Sequence, residues 1–84
     1  MNITLRIREK HLEEISDNQK TIEYRESKPF YHKLFADSQA IRSVRFHFQT
    51  KRLIECEVER IEHVVLGDAT SFYAIHLGLV TYER

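Results

Sequence analysis

Hydrophobic and polar residues alternate at the start of the chain. Residues 3–8 read Ile-Thr-Leu-Arg-Ile-Arg, and this period of two is typical of a strand with one buried face. The next segment, Glu9–Ser16, places Leu12 and Ile15 three apart among charged residues, which predicts a short amphipathic helix. Asn18 follows the helix, and asparagine adopts the left-handed conformation that ends many helices. The pattern therefore predicts a strand, a helix and a tight turn.

A second strand is predicted for residues 20–25. Its alternation assigns Ile22 and Tyr24 to an apolar face, and Thr21, Glu23 and Arg25 to the opposite, polar face. Glu23 and Arg25 would lie about 6.6 Å apart along the strand, close enough for their side chains to pair. Lys20 opens the strand. Charged groups of both signs thus gather within six residues, which suggests a polar site.

The remaining pattern predicts one more short helix and three more strands. A hydroxyl at Ser27 and an early-helix Pro29 mark the start of the helix. Three strands are expected: the first at residues 41–48, the second after a polar turn at 49–52, and the third at 72–80, with Tyr73, Ile75 and Leu77 on one face. A bulge is expected near Ile61 and a loop at 67–71. Four or five strands and one or two short helices predict an α+β fold with a small twisted sheet or partly closed β-barrel.

Length and charge restrict the classes of protein. The chain has 84 residues, which is enough for one domain, 1–84. Its 13 Lys and Arg balance its 13 Asp and Glu, so bulk charge does not drive it to nucleic acid, although a local basic patch remains open. No apolar run reaches the roughly 20 residues of a membrane span, and no signal-peptide pattern is present. We therefore expect a cytoplasmic protein that does not contact membranes.

The sequence gives no sign of a metal or cofactor. The single cysteine, Cys56, excludes an internal disulfide and a cysteine-based zinc finger. It falls in the apolar register of its strand, which predicts a buried, inert thiol. The five histidines show no metal-ligand spacing. We expect no cofactor and no metal ion.

The segment 18–25 resembles the signature of ASCH domains, members of the PUA-like superfamily, which carry GxKxxExR after their first helix. The matching residues are Asn18 (in place of Gly), Lys20, Glu23 and Arg25. Similarity extends to Lys28–Tyr31, Ile41–Phe46 and Tyr73–Leu77, and so covers most of the chain. The resemblance implies a PUA-like fold with a cleft beside the motif, and a module that binds RNA or a modified nucleoside.

The candidate ligand-binding residues are Lys20, Thr21, Glu23, Arg25 and Tyr31. Lys20 and Arg25 are suited to a phosphate or a base edge, and Glu23 either orients the arginine or accepts an amino hydrogen from a base. Tyr24, Phe30 and Tyr31 are candidates for stacking on a base, and Tyr31 is the better one because it flanks the motif. The alternative is a structural ion pair on the strand surface.

Two other functions remain open. Some small bacterial relatives in the resembled family are amidohydrolases of N4-acetylcytidine, with a Lys, a Thr three residues later and a distant Glu. Lys20 matches that Lys, but Glu23 stands at the Thr position, and Asp68 is the only carboxylate between residues 64 and 71. A carboxylate beside Lys20 favours its charged ammonium, which is not nucleophilic, so we favour binding over catalysis. The third possibility is a structural or regulatory protein that self-associates.

A second basic surface is predicted around the third strand. Its members are Arg42, Arg45, His47, Lys51 and Arg52. They are suited to track a phosphate backbone. The alternative is a solvated face whose positive charges pair across the hairpin with Glu55, Glu57 and Glu59. We favour the alternative, because the acidic residues are regularly placed.

Overall fold

The described part of the chain folds into a five-stranded sheet with two short α-helices. The structure is a computed structural model that describes residues 1–67 and 69–84. The strands are β1 (Asn2–Arg6), β2 (Ile22–Glu26), β3 (Ser43–Phe48), β4 (Arg52–Leu66) and β5 (Thr70–Glu83). The helices are α1 (Glu9–Ser16) and α2 (Pro29–Leu34), with a 3-10 turn at Ser38–Ala40. The predicted α+β class is confirmed.

The sheet has the strand order β1-β3-β4-β5-β2. β1 pairs with β3 in parallel, and the other neighbours are antiparallel. β1 and β2 are therefore the two edges of the sheet. The sheet curls into a half-barrel, which brings these edges towards each other. The Nη2 atom of Arg25 on β2 donates a hydrogen bond across the gap to the carbonyl oxygen of Arg6 on β1, at 2.7 Å. The gap between the two edge strands is called the seam below.

Alternating apolar residues of the strands supply most of the core. The buried members are Ile3, Leu5, Ile7, Leu12, Ile15, Phe35, Ile41, Val44, Phe46, Ile54, Cys56, Tyr73, Ile75 and Leu77. Phe46 and Ile54 have no exposed surface and face each other across β3 and β4. The predicted inward face of β5 is confirmed by Tyr73, Ile75 and Leu77.

The end of α1 explains how the chain enters β2. The backbone of Asn18 has a φ of 59°, which confirms the predicted left-handed conformation. Its N–H donates to the carbonyl of Ile15 at 3.1 Å, and the N–H of Gln19 donates to the carbonyl of Glu14 at 2.8 Å. These two hydrogen bonds form a Schellman motif, which pairs the last carbonyls of the helix and reverses the chain. The turn places Lys20 immediately before β2.

The buried face of β2 differs from the prediction. The alternation is correct, but the apolar face is not the buried one: Tyr24 is 55 % exposed and Glu23 only 6 %. β2 also begins at Ile22 and not at residue 20. Sequence alternation identifies the buried face of a strand by its apolar residues. β2 is an edge strand beside the seam, and its inward side is occupied by paired charges.

Three further details also differ from the prediction. The irregularity in β4 extends from Glu55 to Arg60, where the register to β5 shifts, and it ends one residue before the predicted position at Ile61. β5 runs from residue 70 to 83, beyond the predicted end at 80. α2 starts at Pro29 as expected, but the hydroxyl of Ser27 is hydrogen-bonded with Nε2 of His63 and does not cap the helix.

Replacing Asn18 tests the turn that positions β2. We expect Asn18→Gly to keep the stability of the wild type, because glycine adopts a positive φ without steric cost. Asn18→Ala should lower the free energy of unfolding by about 1 kcal/mol, since its Cβ clashes in this conformation. Urea denaturation measures both, with Gln19→Ala as an exposed control. Equal midpoints for the alanine and glycine variants would contradict this account.

Candidate functional site

The carboxylate of Glu23 is buried between two cations. Its Oε1 atom lies 3.3 Å from Nζ of Lys20, and its Oε2 atom lies 2.7 Å from Nη2 and 2.9 Å from Nε of Arg25. Both oxygens are therefore engaged within the protein. A buried carboxylate needs such partners, because the loss of its hydration is costly. Glu23 thus orients Lys20 and Arg25.

The guanidinium of Arg25 joins three parts of the chain. Besides Glu23 on its own strand, it donates through Nη1 to the hydroxyl of Tyr31 on α2, at 2.9 Å, and through Nη2 to the carbonyl of Arg6 on β1. The planar fork of arginine makes this possible, since its donors point in fixed directions. Arg25 therefore closes the seam with a side chain, where no backbone ladder joins β1 to β2.

Tyr31 is fixed by packing as well as by this hydrogen bond. Its ring stacks on Phe35, with the two ring centroids 5.8 Å apart and 14° between their planes. The edge of Phe30 approaches it with a centroid distance of 5.0 Å. The guanidinium carbon of Arg25 lies 5.8 Å from its centroid. Tyr31 is therefore part of the wall of the seam, with limited free ring surface.

A concave cleft of about 730 Å³ lies along the seam. It is lined by Arg6, Ile7, Arg8, His11, Lys20, Glu23, Tyr24, Arg25, Glu26, Lys28 and Tyr31. Its volume falls within the range of roughly 300–1,000 Å³ that is typical of small-molecule sites. Five of the lining side chains are Lys or Arg and two are Glu, so the cleft carries three excess positive charges in a chain with no net charge. This local field attracts anions.

The cleft contains four of the five residues predicted from the sequence. Lys20, Glu23, Arg25 and Tyr31 line it together. Thr21 does not: its side chain is exposed, and its carbonyl accepts a hydrogen bond from the N–H of Leu77 on the neighbouring strand, at 2.8 Å. The convergence of the charged motif residues on a concave surface is the geometry that a binding site requires.

The sequence did not identify several residues of the cleft. These are Arg6, Ile7, Arg8, His11, Glu26 and Lys28. The alternation of β1 did place Arg6 and Arg8 on a polar face, which was the available signal. Their approach to β2 depends on the curl of the sheet, because β1 and β2 are at opposite ends of the strand order.

Two of the five side chains of the second basic surface, Arg45 and Arg52, are paired with carboxylates. Nε of Arg45 lies 2.6 Å from Oε1 of Glu55, its direct partner across the hairpin. Arg52 forms ion pairs with Glu13 of α1 and Glu83 at the end of β5. These contacts support the alternative of a solvated, paired face.

The geometry around Lys20 is that of a cation held by a carboxylate. A lysine nucleophile requires a free amine, which a neighbouring carboxylate disfavours. Asp68, considered for the distant carboxylate of an amidohydrolase, lies outside the described residues. Residues 1–67 and 69–84 contain no cluster of three or more His, Cys, Asp or Glu that could hold a metal ion. Over the same ranges, no helix has the length and apolar character to cross a membrane.

Comparison with known proteins gives no relative. No protein-family model, no curated protein and no solved structure matches the chain.

Replacing the buried carboxylate tests its structural role. We expect Glu23→Gln to lower the free energy of unfolding by about 3 kcal/mol, because it leaves Lys20 and Arg25 without a counter-charge. Chemical denaturation at neutral pH measures the effect. Glu59→Gln, on an exposed position of β4, is the matched control and should stay within about 0.5 kcal/mol of the wild type. A Glu23 variant as stable as this control would contradict the assignment.

Cys56 provides an independent test of the core. Burial, and secondarily the charges of Glu55 and Glu83, raise the pKa of its thiol to about 11. The thiolate is the reactive form, so the native protein should not react with a disulfide reagent at pH 8. Addition of denaturant should expose one thiol per chain. Rapid labelling of the native protein would show that this part of the core is open.

Proposed function

We propose that this chain is a stand-alone ASCH-type, PUA-like module that binds RNA or a modified nucleoside in the cleft along the seam. The observation that carries the proposal is the convergence of Lys20, Glu23 and Arg25 on one concave, basic surface. A structural ion pair alone could lie on a convex part of the strand and needs no cleft around it. The sequence motif and the geometry of the cleft thus both support residues 18–25 as part of a binding site.

The charge of the cleft supports an anionic polymer or nucleotide as ligand. Nucleic acid binding depends strongly on cations that contact phosphates. The three excess positive charges of the cleft supply such contacts, although the whole chain is neutral. The excess positive charge is therefore a property of the cleft and not of the whole chain.

Aromatic residues of the cleft support recognition of a base. Tyr24 borders the cleft from the face of β2 opposite to Glu23 and Arg25, is 55 % exposed, and meets Phe72 edge-on at a centroid distance of 5.5 Å. Its exposed ring can stack on a base, an interaction that RNA-binding domains use widely. Tyr31 has less free surface, because Phe35 and Arg25 contact it. In the proposal, Tyr24 stacks on the base and Tyr31 positions Arg25.

The proposal assigns different roles to the motif residues. The buried oxygens of Glu23 are both occupied, so this residue orients its neighbours and does not meet the ligand. Arg25 uses its donors on Glu23, Tyr31 and Arg6 and shapes the floor of the cleft. Lys20 lines the cleft with its ammonium and is the motif residue that contacts the ligand.

Lys20→Ala tests the proposal with little disturbance of the seam. Arg25 remains paired with Glu23 in this variant, so the fold should be kept. We expect the affinity for a single-stranded RNA of about twelve nucleotides to fall by about tenfold at about 50 mM salt, which corresponds to the loss of one charge-assisted contact. Fluorescence anisotropy of labelled RNA measures this, with circular dichroism as a check of folding.

Lys51→Ala is the matched control, because Lys51 lies in the exposed turn between β3 and β4 and outside the cleft. It removes the same charge and should leave the affinity almost unchanged. The proposal fails if wild type and Lys20→Ala bind RNA and nucleosides equally, or if Lys51→Ala has the same effect as Lys20→Ala.

A further inference from the structure

The cations of the cleft differ in their partners. Lys20 and Arg25 share the buried carboxylate of Glu23. Lys28 lies 3.4 Å from a carboxylate oxygen of Glu26 at the exposed rim. These pairs account for both carboxylates that line the cleft.

Two arginines of the cleft are left with their charge uncompensated. Arg6 and Arg8 form no ion pair with a carboxylate in the described part of the chain. Their side chains are exposed, whereas Ile7 between them is buried in the core. Two of the three excess positive charges of the cleft therefore lie at these two positions, and the third arises because Lys20 and Arg25 share one carboxylate.

The backbone holds both arginines in fixed places. The N–H of Ile7 donates to the carbonyl of His47 at 3.0 Å, so the pairing of β1 with β3 continues past Arg6. The carbonyl of Arg6 accepts the hydrogen bond of Arg25, and the carbonyl of Arg8 accepts the first hydrogen bond of α1, from Leu12 at 3.0 Å. Arg8 itself is extended, with φ −74° and ψ 149°.

This extended geometry places the two side chains on one face. Residues two apart on a strand share a face and are separated by about 6.6 Å along it. Two guanidinium groups at this spacing can converge on one small anion from adjacent positions. Arginine is suited to this task, because its fork donates two parallel hydrogen bonds to a phosphate.

We infer that Arg6 and Arg8 together bind a phosphate group of the ligand. This inference rests on the proposed function and narrows it: the ligand is a nucleotide or a phosphodiester-linked chain, and not a free nucleoside. The phosphate lies at the β1 side of the seam, and the base lies towards Tyr24 on the β2 side. The hydrogen bond from Arg25 to the carbonyl of Arg6 joins the two sides and fixes the distance from the phosphate subsite to the base subsite.

Three sets of probes separate the sources of the phosphate. They are the four ribonucleosides, their 5′-monophosphates and the corresponding dinucleoside monophosphates, measured by isothermal titration calorimetry with the full chain. We expect the best monophosphate or dinucleoside monophosphate to bind at least about tenfold more tightly than its nucleoside at low salt, because charged hydrogen bonds are added. Preference for the monophosphate identifies a terminal phosphate, and equal or better binding of the dinucleoside identifies a backbone phosphate.

A double variant tests the two arginines. Arg6→Gln combined with Arg8→Gln should make nucleoside and nucleotide affinities nearly equal. It should also flatten the dependence of log affinity on log salt for single-stranded RNA by about one to two units. The main-chain carbonyl of Arg6 remains for Arg25, so the seam should stay closed. Arg42→Gln is the matched control, since Arg42 is exposed beside the opposite end of β1, where its N–H donates to the carbonyl of Met1.

Arg6→Lys combined with Arg8→Lys separates charge from geometry. This variant keeps both charges but lacks the planar fork, and it should recover only part of the preference for phosphate. The inference is supported if the glutamine variant loses the preference for nucleotide over nucleoside and the lysine variant recovers part of it.

Other results would overturn the inference. If the wild type binds nucleosides as tightly as nucleotides, or if the glutamine variant keeps the preference for nucleotides, the assignment of a phosphate subsite to Arg6 and Arg8 is wrong. The proposed function survives either result if Lys20→Ala still weakens binding. Absence of binding to nucleosides, nucleotides and RNA alike would reject both.

Discussion

Glu23 lies at the open side of the sheet, where its carboxylate has lost almost all contact with water and is paired with Lys20 and Arg25. Removal of a charge from water is unfavourable unless partners replace its hydration. The same contacts fix the guanidinium of Arg25, which then reaches the hydroxyl of Tyr31 and the carbonyl of Arg6. The contacts that join α2 and β1 to β2 across the cleft thus depend on one buried carboxylate.

Two pairs of charged residues in the cleft have different roles. Glu23 and Arg25 use their polar atoms within the protein and give the cleft its shape. Arg6 and Arg8 are fixed through their backbone, and their side-chain donors remain available for a ligand. In the proposed function, residues 18–25 are therefore needed mainly for the shape of the cleft, and residues outside this segment supply further contacts. For this reason a substitution of Arg25 alone would not distinguish loss of ligand contact from loss of the cleft.

The sequence predicted those parts of the fold that local patterns determine. Alternation identified β1 and the inward face of β5, the spacing of Leu12 and Ile15 identified α1, and Asn18 identified its end. The buried face of β2 could not be found in this way, because Glu23 is buried by tertiary ion pairing and not by hydrophobicity. Arg6 and Arg8 were seen as polar, but their place in the cleft follows from curling of the whole sheet. The end of β5 was missed, because beyond Val80 this strand pairs with β4 on the far side of a shift in register.

Closure of the seam by a side chain leaves two strand edges without neighbours in the sheet. Such edges expose backbone groups that can pair with another chain, and charged residues along them are a common protection against aggregation. In this protein the edges of β1 and β2 carry Arg6, Lys20 and Arg25 near the gap. Two copies that approach through this gap would bring like charges together. The positive field of the cleft therefore opposes the extension of the sheet into a second copy through this gap.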